Sequence, residues 1–141
     1  MVKLDDFTRG FLECALWSST DESREDGGDP LDKNYTIEAI APACLAALML
    51  ECAVFQTANA LDLEFAKDDA HAGHDFWLTR NHHGAGYWDG DYPESVGERL
   101  TKAAGAFGEI NLYVGDDKQI WANGYEGGQR WTPAEVTLNE H

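Results

Sequence analysis

Basic residues are few in this chain: ten Lys and Arg stand against twenty-six Asp and Glu, for a formal net charge of −16. A surface of that sign repels phosphate and anionic lipid, so neither direct nucleic-acid binding nor charge-driven membrane attachment is expected. Long hydrophobic runs are missing as well. The longest, Ala39 to Leu50, is interrupted by Pro42 and falls short of the roughly 20 residues that a membrane helix needs. The chain does not open on a basic segment followed by an apolar one, as a secretory leader does. No membrane partner is expected, and the location is read as cytoplasmic. Cysteine is sparse and odd in number. Cys14, Cys44 and Cys52 all fall inside helical apolar patterns, and the last two would sit about 12 Å apart along one helix, too far to bridge. Buried, reduced thiols are the expectation.

Catalytic signatures are equally scarce. The sequence has no serine nucleophile elbow, no phosphate-cradling glycine loop and no activated-cysteine motif. Gly84, Gly86 and Gly90 do not form a dinucleotide fingerprint. No cofactor is expected.

What is present is enough for a packed core. Hydrophobic residues make up 43% and aromatics 11% of 141 residues, and a single domain of this length buries roughly 68% of its unfolded surface. Leu4, Phe7, Phe11, Cys14 and Ala15 recur at helical steps, with Asp5 and Asp6 where a helix dipole favours negative charge, which predicts a helix over 4–17. The stretch "SSTDESREDGGDPLDKN" that follows reads as a solvated, mobile acidic loop near 18–34. A short turn is expected over 36–40. Pro42 then opens the most helical segment, 42–60, whose nearly all-round apolar middle implies burial on several sides, with Leu48, Met49 and Phe55 in the core.

From Asp75 the pattern changes. "DFWLTR" and "GYWDG" flank "NHHGA" and read as a β-hairpin with a glycine at positive φ, bringing Trp77 and Trp88 into one aromatic region. "YPESVGERLTKAAGAFG" predicts a helix over 93–106, and "EINLYVGDDKQIWAN" a second hairpin about its Gly-Asp-Asp turn. Antiparallel hairpins packed against about three helices make an α+β fold in a single domain over 1–141.

Four of the five histidines lie between His71 and Asp91. Imidazole and carboxylate ligands suit zinc, iron or manganese, so His71, His74, Asp75, His82 and His83 are the candidate metal set. The spacing is not that of a zinc-protease helix, because Gly73 reads as a helix breaker and no Glu lies between the histidines. A histidine beside Asp75 or Asp89 is also a candidate for proton transfer near neutral pH. Against both stands a structural reading, in which these polar side chains close turns while Phe76, Trp77 and Trp88 pack the sheet. Arg80 has two readings: a paired, stacked anchor, or an exposed strand end.

"AGHDFWLTRNHHGAGYWDGD" and "GERLTKAAGAFGEINLYVGDDKQI", with "ALWSSTDE" at Ala15 to Glu22, resemble a family of small acidic, uncharacterised bacteriophage proteins. The resemblance covers roughly residues 70 to 120. It implies a phage setting and the host cytoplasm, and it carries over no catalytic residue. In that setting the chain reads as an accessory protein that binds a host protein, a counter-defence or takeover inhibitor whose carboxylates occupy a basic groove. The first seventy residues hold fifteen acids against five bases, so the expected contact is the loop carrying Asp21, Glu22, Glu25, Asp26, Asp29 and Asp32. The alternative is a metal-dependent enzyme built on His71, His74, His82 and His83.

Overall fold

A computed structural model describes residues 3–23, 28–82, 85–89 and 91–128. The first helix, α1, is Asp6–Ser18, opened by Asp5, whose carboxylate accepts from the Thr8 N–H at 2.8 Å. That bond satisfies one of the donors a helix start leaves orphaned. Phe7, Phe11, Cys14 and Ala15 form its buried face, as their spacing predicts. The acidic stretch is more structured than a solvated loop. Thr20–Asp21 (β1) and Asp29–Pro30 (β2) pair antiparallel, the Leu31 N–H donates to Ser19 O, and the Leu31 side chain is fully buried. One apolar residue therefore pins the far end of the acidic stretch into the core. Two 3-10 turns, Leu31–Lys33 and Ile37–Ala39, lead to α2, Pro42–Ala58.

In α2, Cys44, Ala47, Leu48, Glu51, Cys52 and Phe55 form one buried face. Met49 is only half-buried and Ala43, Ala46 and Ala53 are exposed, so burial on several sides is not what the apolar middle delivers. Alanine covers the outer face because it is apolar without needing a partner, and it is the best helix former. A single turn, α3 (Ala60–Leu63), follows.

The chief departure from expectation is α4, Asp69–Arg80, a helix where a strand was predicted. Asp68 caps it by accepting the His71 N–H at 2.7 Å, Asp69 sits in its first turn and Asn81 closes it. Phe76, Trp77 and Thr79 carry strand preference, but that preference reflects packing on a half-buried surface and yields to helical packing here. Gly73 does not break the helix. A Cβ at Gly73 would collide with the Phe7 carbonyl, and one at Gly10 with the Ala70 carbonyl. The two glycines thus let α1 and α4 approach backbone to backbone, and these two helices make the most extensive contact in the molecule. The glycine propensity cost of about 1 kcal/mol each is offset by the contacts that this approach brings.

The expected hairpin does not form: the described residues of "GYWDG" are turn and bend, not a strand. The Tyr87 N–H donates to Thr79 Oγ1 at 3.1 Å and its hydroxyl to Ala72 O at 2.7 Å, which lays the described residues of segment 85–92 along α4. Gly86 has φ +158°, and a Cβ there would lie 2.6 Å from Thr79 Oγ1 and 2.7 Å from the Trp88 ring; Gly84 lies outside the described residues. Trp77 is buried, with its indole N–H on Ser18 Oγ at 2.7 Å, whereas Trp88 is 45% exposed. The common aromatic region expected of that pair does not form, because Trp77 now belongs to a helix face and Trp88 to the segment lying across it.

Helix α5, Glu94–Gly105, buries Val96, Leu100, Ala103 and Ala104. The second hairpin forms as predicted, Leu112–Val114 (β3) against Ile120–Ala122 (β4), and Ile40 bridges to Ile120 to tie it to the start of α2. All three cysteines are buried and free. Five α-helices and two two-stranded antiparallel sheets, counted among the described residues, make the fold α+β. Its core is aromatic: Phe55 stacks on Phe76 at 4.2 Å between centroids, and Phe107 meets Phe76 edge-on at 5.3 Å.

The glycine contact is testable by comparing two alanine substitutions. A Cβ at Gly105, near the end of α5, meets nothing within 4 Å, so Gly105→Ala is expected to stabilise by about 0.4–1 kcal/mol. Gly73→Ala gains the same propensity but overpacks, and a net loss of about 1–3 kcal/mol is expected in urea denaturation. Equal effects at the two positions would contradict the α1–α4 approach.

Candidate functional site

Arg80, the last residue of α4, is 1% exposed. Its Nη1 meets Glu51 Oε1 at 2.6 Å, Nη2 donates to the Tyr125 hydroxyl and Phe107 O, and Nε donates to Gly108 O at 2.8 Å. Tyr125 in turn donates to the other Glu51 oxygen at 2.7 Å. The guanidinium carbon lies 5.0 Å from the Phe76 ring centre and 5.4 Å from that of Phe107. Of the two readings of Arg80, the paired, stacked anchor is the one that holds. Both charges are wholly removed from water, so this network builds the core and presents nothing to a ligand.

The histidines do not converge. His71 lies in the first turn of α4, His74 is exposed one turn on, and His82 follows the end of the helix at φ +56°, its imidazole 3.3 Å from Glu109. His71 lies in the first turn and His82 beyond the last, so the length of the helix, about 13 Å from His71 to Arg80, stands between them. His83 lies outside the described residues, and among those described no group of three His, Cys, Asp or Glu side chains is placed to hold a metal. The strand assignment created the expected cluster; a helix spreads the same residues along its axis.

One polar constellation does form. His71 Nε2 lies 3.2 Å from Asp75 Oδ2, one turn along α4, and 3.1 Å from Asp91 Oδ2. The Tyr92 hydroxyl donates to Asp75 Oδ2 at 3.0 Å. Burial pushes the Asp75 carboxyl up to about 6, against the downward pull of His71 and of the Tyr92 hydrogen bond, with Asp89 and Asp91 adding to the rise. Partial desolvation, with His71 nearby, lowers the pKa of His74. Burial also raises Cys14, to about 12, so that thiol is no nucleophile. His71, Asp75, Asp91 and Tyr92 thus fasten segment 85–92 to α4. No described side chain beside them is an activated nucleophile, and the arrangement is that of a tether.

No family model, curated protein or solved structure matches the chain. The reading of the site therefore rests on its own residues.

The acidic candidates are divided. Asp21 is turned inward, 2% exposed, its Oδ1 accepting from the Ser23 N–H and hydroxyl, so it shapes the turn and offers no charge to a partner. Asp29 pairs with Lys33 at 3.4 Å. Glu22 and Asp32 are exposed, and Glu25 and Asp26 lie outside the described residues. Asp32 joins Arg9, Glu13, Tyr35 and Glu38 around a groove of about 470 Å³ between α1 and the 3-10 turns. A second groove, about 580 Å³, runs between Trp88 and α5, and reading the sequence gave no hint of it. On α5 it is lined by the exposed Glu94, Glu98 and Lys102 and by the buried Gly97. No helix among the described residues is long and apolar enough to cross a membrane.

The tether has a pH signature. Asp75 titrates in the folded protein at about 6, above its ordinary 3.8, so the stabilisation it lends is present below pH 3.8 and is lost as pH rises through 6. Asp75→Asn stays neutral and still accepts from Tyr92. Its stability relative to the native chain is expected to rise between pH 4 and pH 7 in urea titrations, and a pH-independent difference would contradict the assignment.

Proposed function

We propose that this chain is a small acidic, phage-encoded accessory protein that binds a host protein in the host cytoplasm. Its carboxylates would occupy a basic surface in place of nucleic-acid phosphates, as a counter-defence or takeover inhibitor does. The observation that carries this reading is where the charges lie. Of the carboxylates among the described residues, only Asp21, Glu51 and Asp75 are buried. The cations are too few to balance them: Arg80 is buried as a neutral pair with Glu51, Arg99 is taken up by Asp62 at 2.8 Å and Lys33 by Asp29, and the net charge is −16. What a partner meets is therefore strongly negative, and complementary charge gives fast, selective encounter. The alternative, a metal-dependent enzyme on His71, His74, Asp75, His82 and His83, has no observation in its favour among the described residues.

The test immobilises the chain, exposes it to host lysate and follows retention as salt rises. A partner held by exposed charge is expected to bind at 0.1 M salt, where the screening length is about 10 Å, and to leave by 1 M, where it is about 3 Å. Duplex DNA is expected to compete for it. Replacing Glu22, Glu25, Asp26 and Asp32 by their amides is expected to weaken retention while shifting stability by no more than about 0.5 kcal/mol, as exposed sites do. Retention that survives 1 M salt, ignores DNA and is unchanged in the amide variant would overturn the proposal.

A further inference from the structure

The groove beside Trp88 carries more than general acidity. On α5, Glu94, Glu98 and Lys102 recur at four-residue steps and so share one exposed face, opposite the buried Val96, Leu100 and Ala103, while Gly97 is buried at its border. Gly97 sets the width: a Cβ there would lie 2.6 Å from Tyr87 O, so only glycine lets segment 85–92 lie this close to the helix. Across the groove stands Trp88, 45% exposed. An indole left in water by a mobile segment would be unremarkable, but this one is held on both sides. Tyr87 is buried and bonded to Ala72 O, and Tyr92 is buried and bonded to Asp75. The Trp88 ring also lies over Gly86, where a Cβ would strike it. The exposed aromatic surface is therefore fixed in place before anything binds, which lowers the ordering cost of binding.

The charges around it are one-sided. Glu94 and Glu98 line the groove and are exposed, and Asp89 and Asp91 are exposed on the facing segment. Lys102 is the one base that lines it. Two glutamates four residues apart on a helix repel each other unless a cation lies between them.

We infer that this groove receives an arginine side chain of the protein partner, the guanidinium stacking on Trp88 and donating to Glu98 and Glu94. The ligand chemistry follows from the walls. A phosphate would be repelled by the carboxylates, and an apolar side chain would strip them of water without replacing its hydrogen bonds. A cation meets both the ring face and the carboxylates, and guanidinium suits them better than ammonium, being planar, weakly hydrated and able to stack while its edge hydrogen-bonds. The inference rests on the partner-binding reading and deepens it, since it names the group that an acidic surface selects.

The experiment titrates the whole chain, at low salt, with a capped Gly-Arg-Gly peptide and its citrulline counterpart, following tryptophan indole N–H signals by NMR. A saturable shift is expected at Trp88, absent at the exposed Trp17 and absent with citrulline. Trp88→Leu is expected to abolish the saturable site, and Glu98→Gln to weaken it about two- to fivefold. Both positions are exposed, and unchanged thermal unfolding of the two variants verifies that the groove alone was altered. If the arginine peptide binds as well to Trp88→Leu, or shifts only amides near Glu22 and Asp32, the groove assignment is overturned while the acidic-surface reading stands. If the peptide binds nowhere and the chain also retains no salt-sensitive partner, both fall together.

Discussion

The buried pair of Arg80 and Glu51 is the constraint to which the rest of the structure answers. Taking two opposite charges fully out of water costs several kcal/mol per ion, and the attraction between them repays this only when every remaining donor and acceptor is also satisfied. Here each guanidinium nitrogen and both carboxylate oxygens have a partner: the guanidinium reaches Glu51, Tyr125, Phe107 O and Gly108 O, and Tyr125 bonds the second Glu51 oxygen. Those partners come from α2, from the residues just after α5 and from the residues after β4. One side chain at the end of α4 thereby fixes where three other parts of the chain must lie. The rings of Phe11, Phe76 and Phe107 close around the cation within 6 Å, and their packing leaves no path for water to screen it.

That arrangement bears on the surface as well as the core. Arg80 and Glu51 leave the surface together as a neutral pair, so the whole net charge of −16 stays with the remaining side chains. The same helix that ends at Arg80 begins with the His71–Asp75–Asp91 tether, so α4 positions the core at one end and segment 85–92 at the other. Segment 85–92 in turn carries Trp88 to the acidic face of α5. The candidate contact surface is thus connected to the core through one short helix, held against α1 at Gly10 and Gly73.

Much of this was legible in the sequence, and the exceptions share a cause. α1, α5 and the β3–β4 hairpin declare themselves by a clear apolar period, by caps and by turn residues, and the α+β class followed from them. α4 does not, because it is buried on more than one side: Ala72, Gly73, Asp75, Phe76, Trp77, Thr79 and Arg80 are all inside. Its polar face is narrow, little more than His71 and His74, so the 3.6-residue stripe is weak and its aromatic content then reads as strand. The end signals were present in Asp68, Asp69 and Asn81. Arg80 was recognisable as an anchor, and its partner was recognisable in principle, since Glu51 falls in register with Leu48 and Phe55 on the buried face of α2. The Trp88 groove was not legible, because it depends on two segments whose relative placement only α4 as a helix supplies.

The most direct test of this account is a double-mutant cycle on the central pair, using Arg80→Met, Glu51→Leu and the double variant in urea denaturation. Each single change leaves a buried charge unpaired and is predicted to cost about 3–5 kcal/mol. The double variant is predicted to cost less than the sum of the two by about 0.5–3 kcal/mol, the range of coupling seen between groups in direct contact. Additive losses, or single losses below about 1 kcal/mol, would mean that the fold does not depend on this pair.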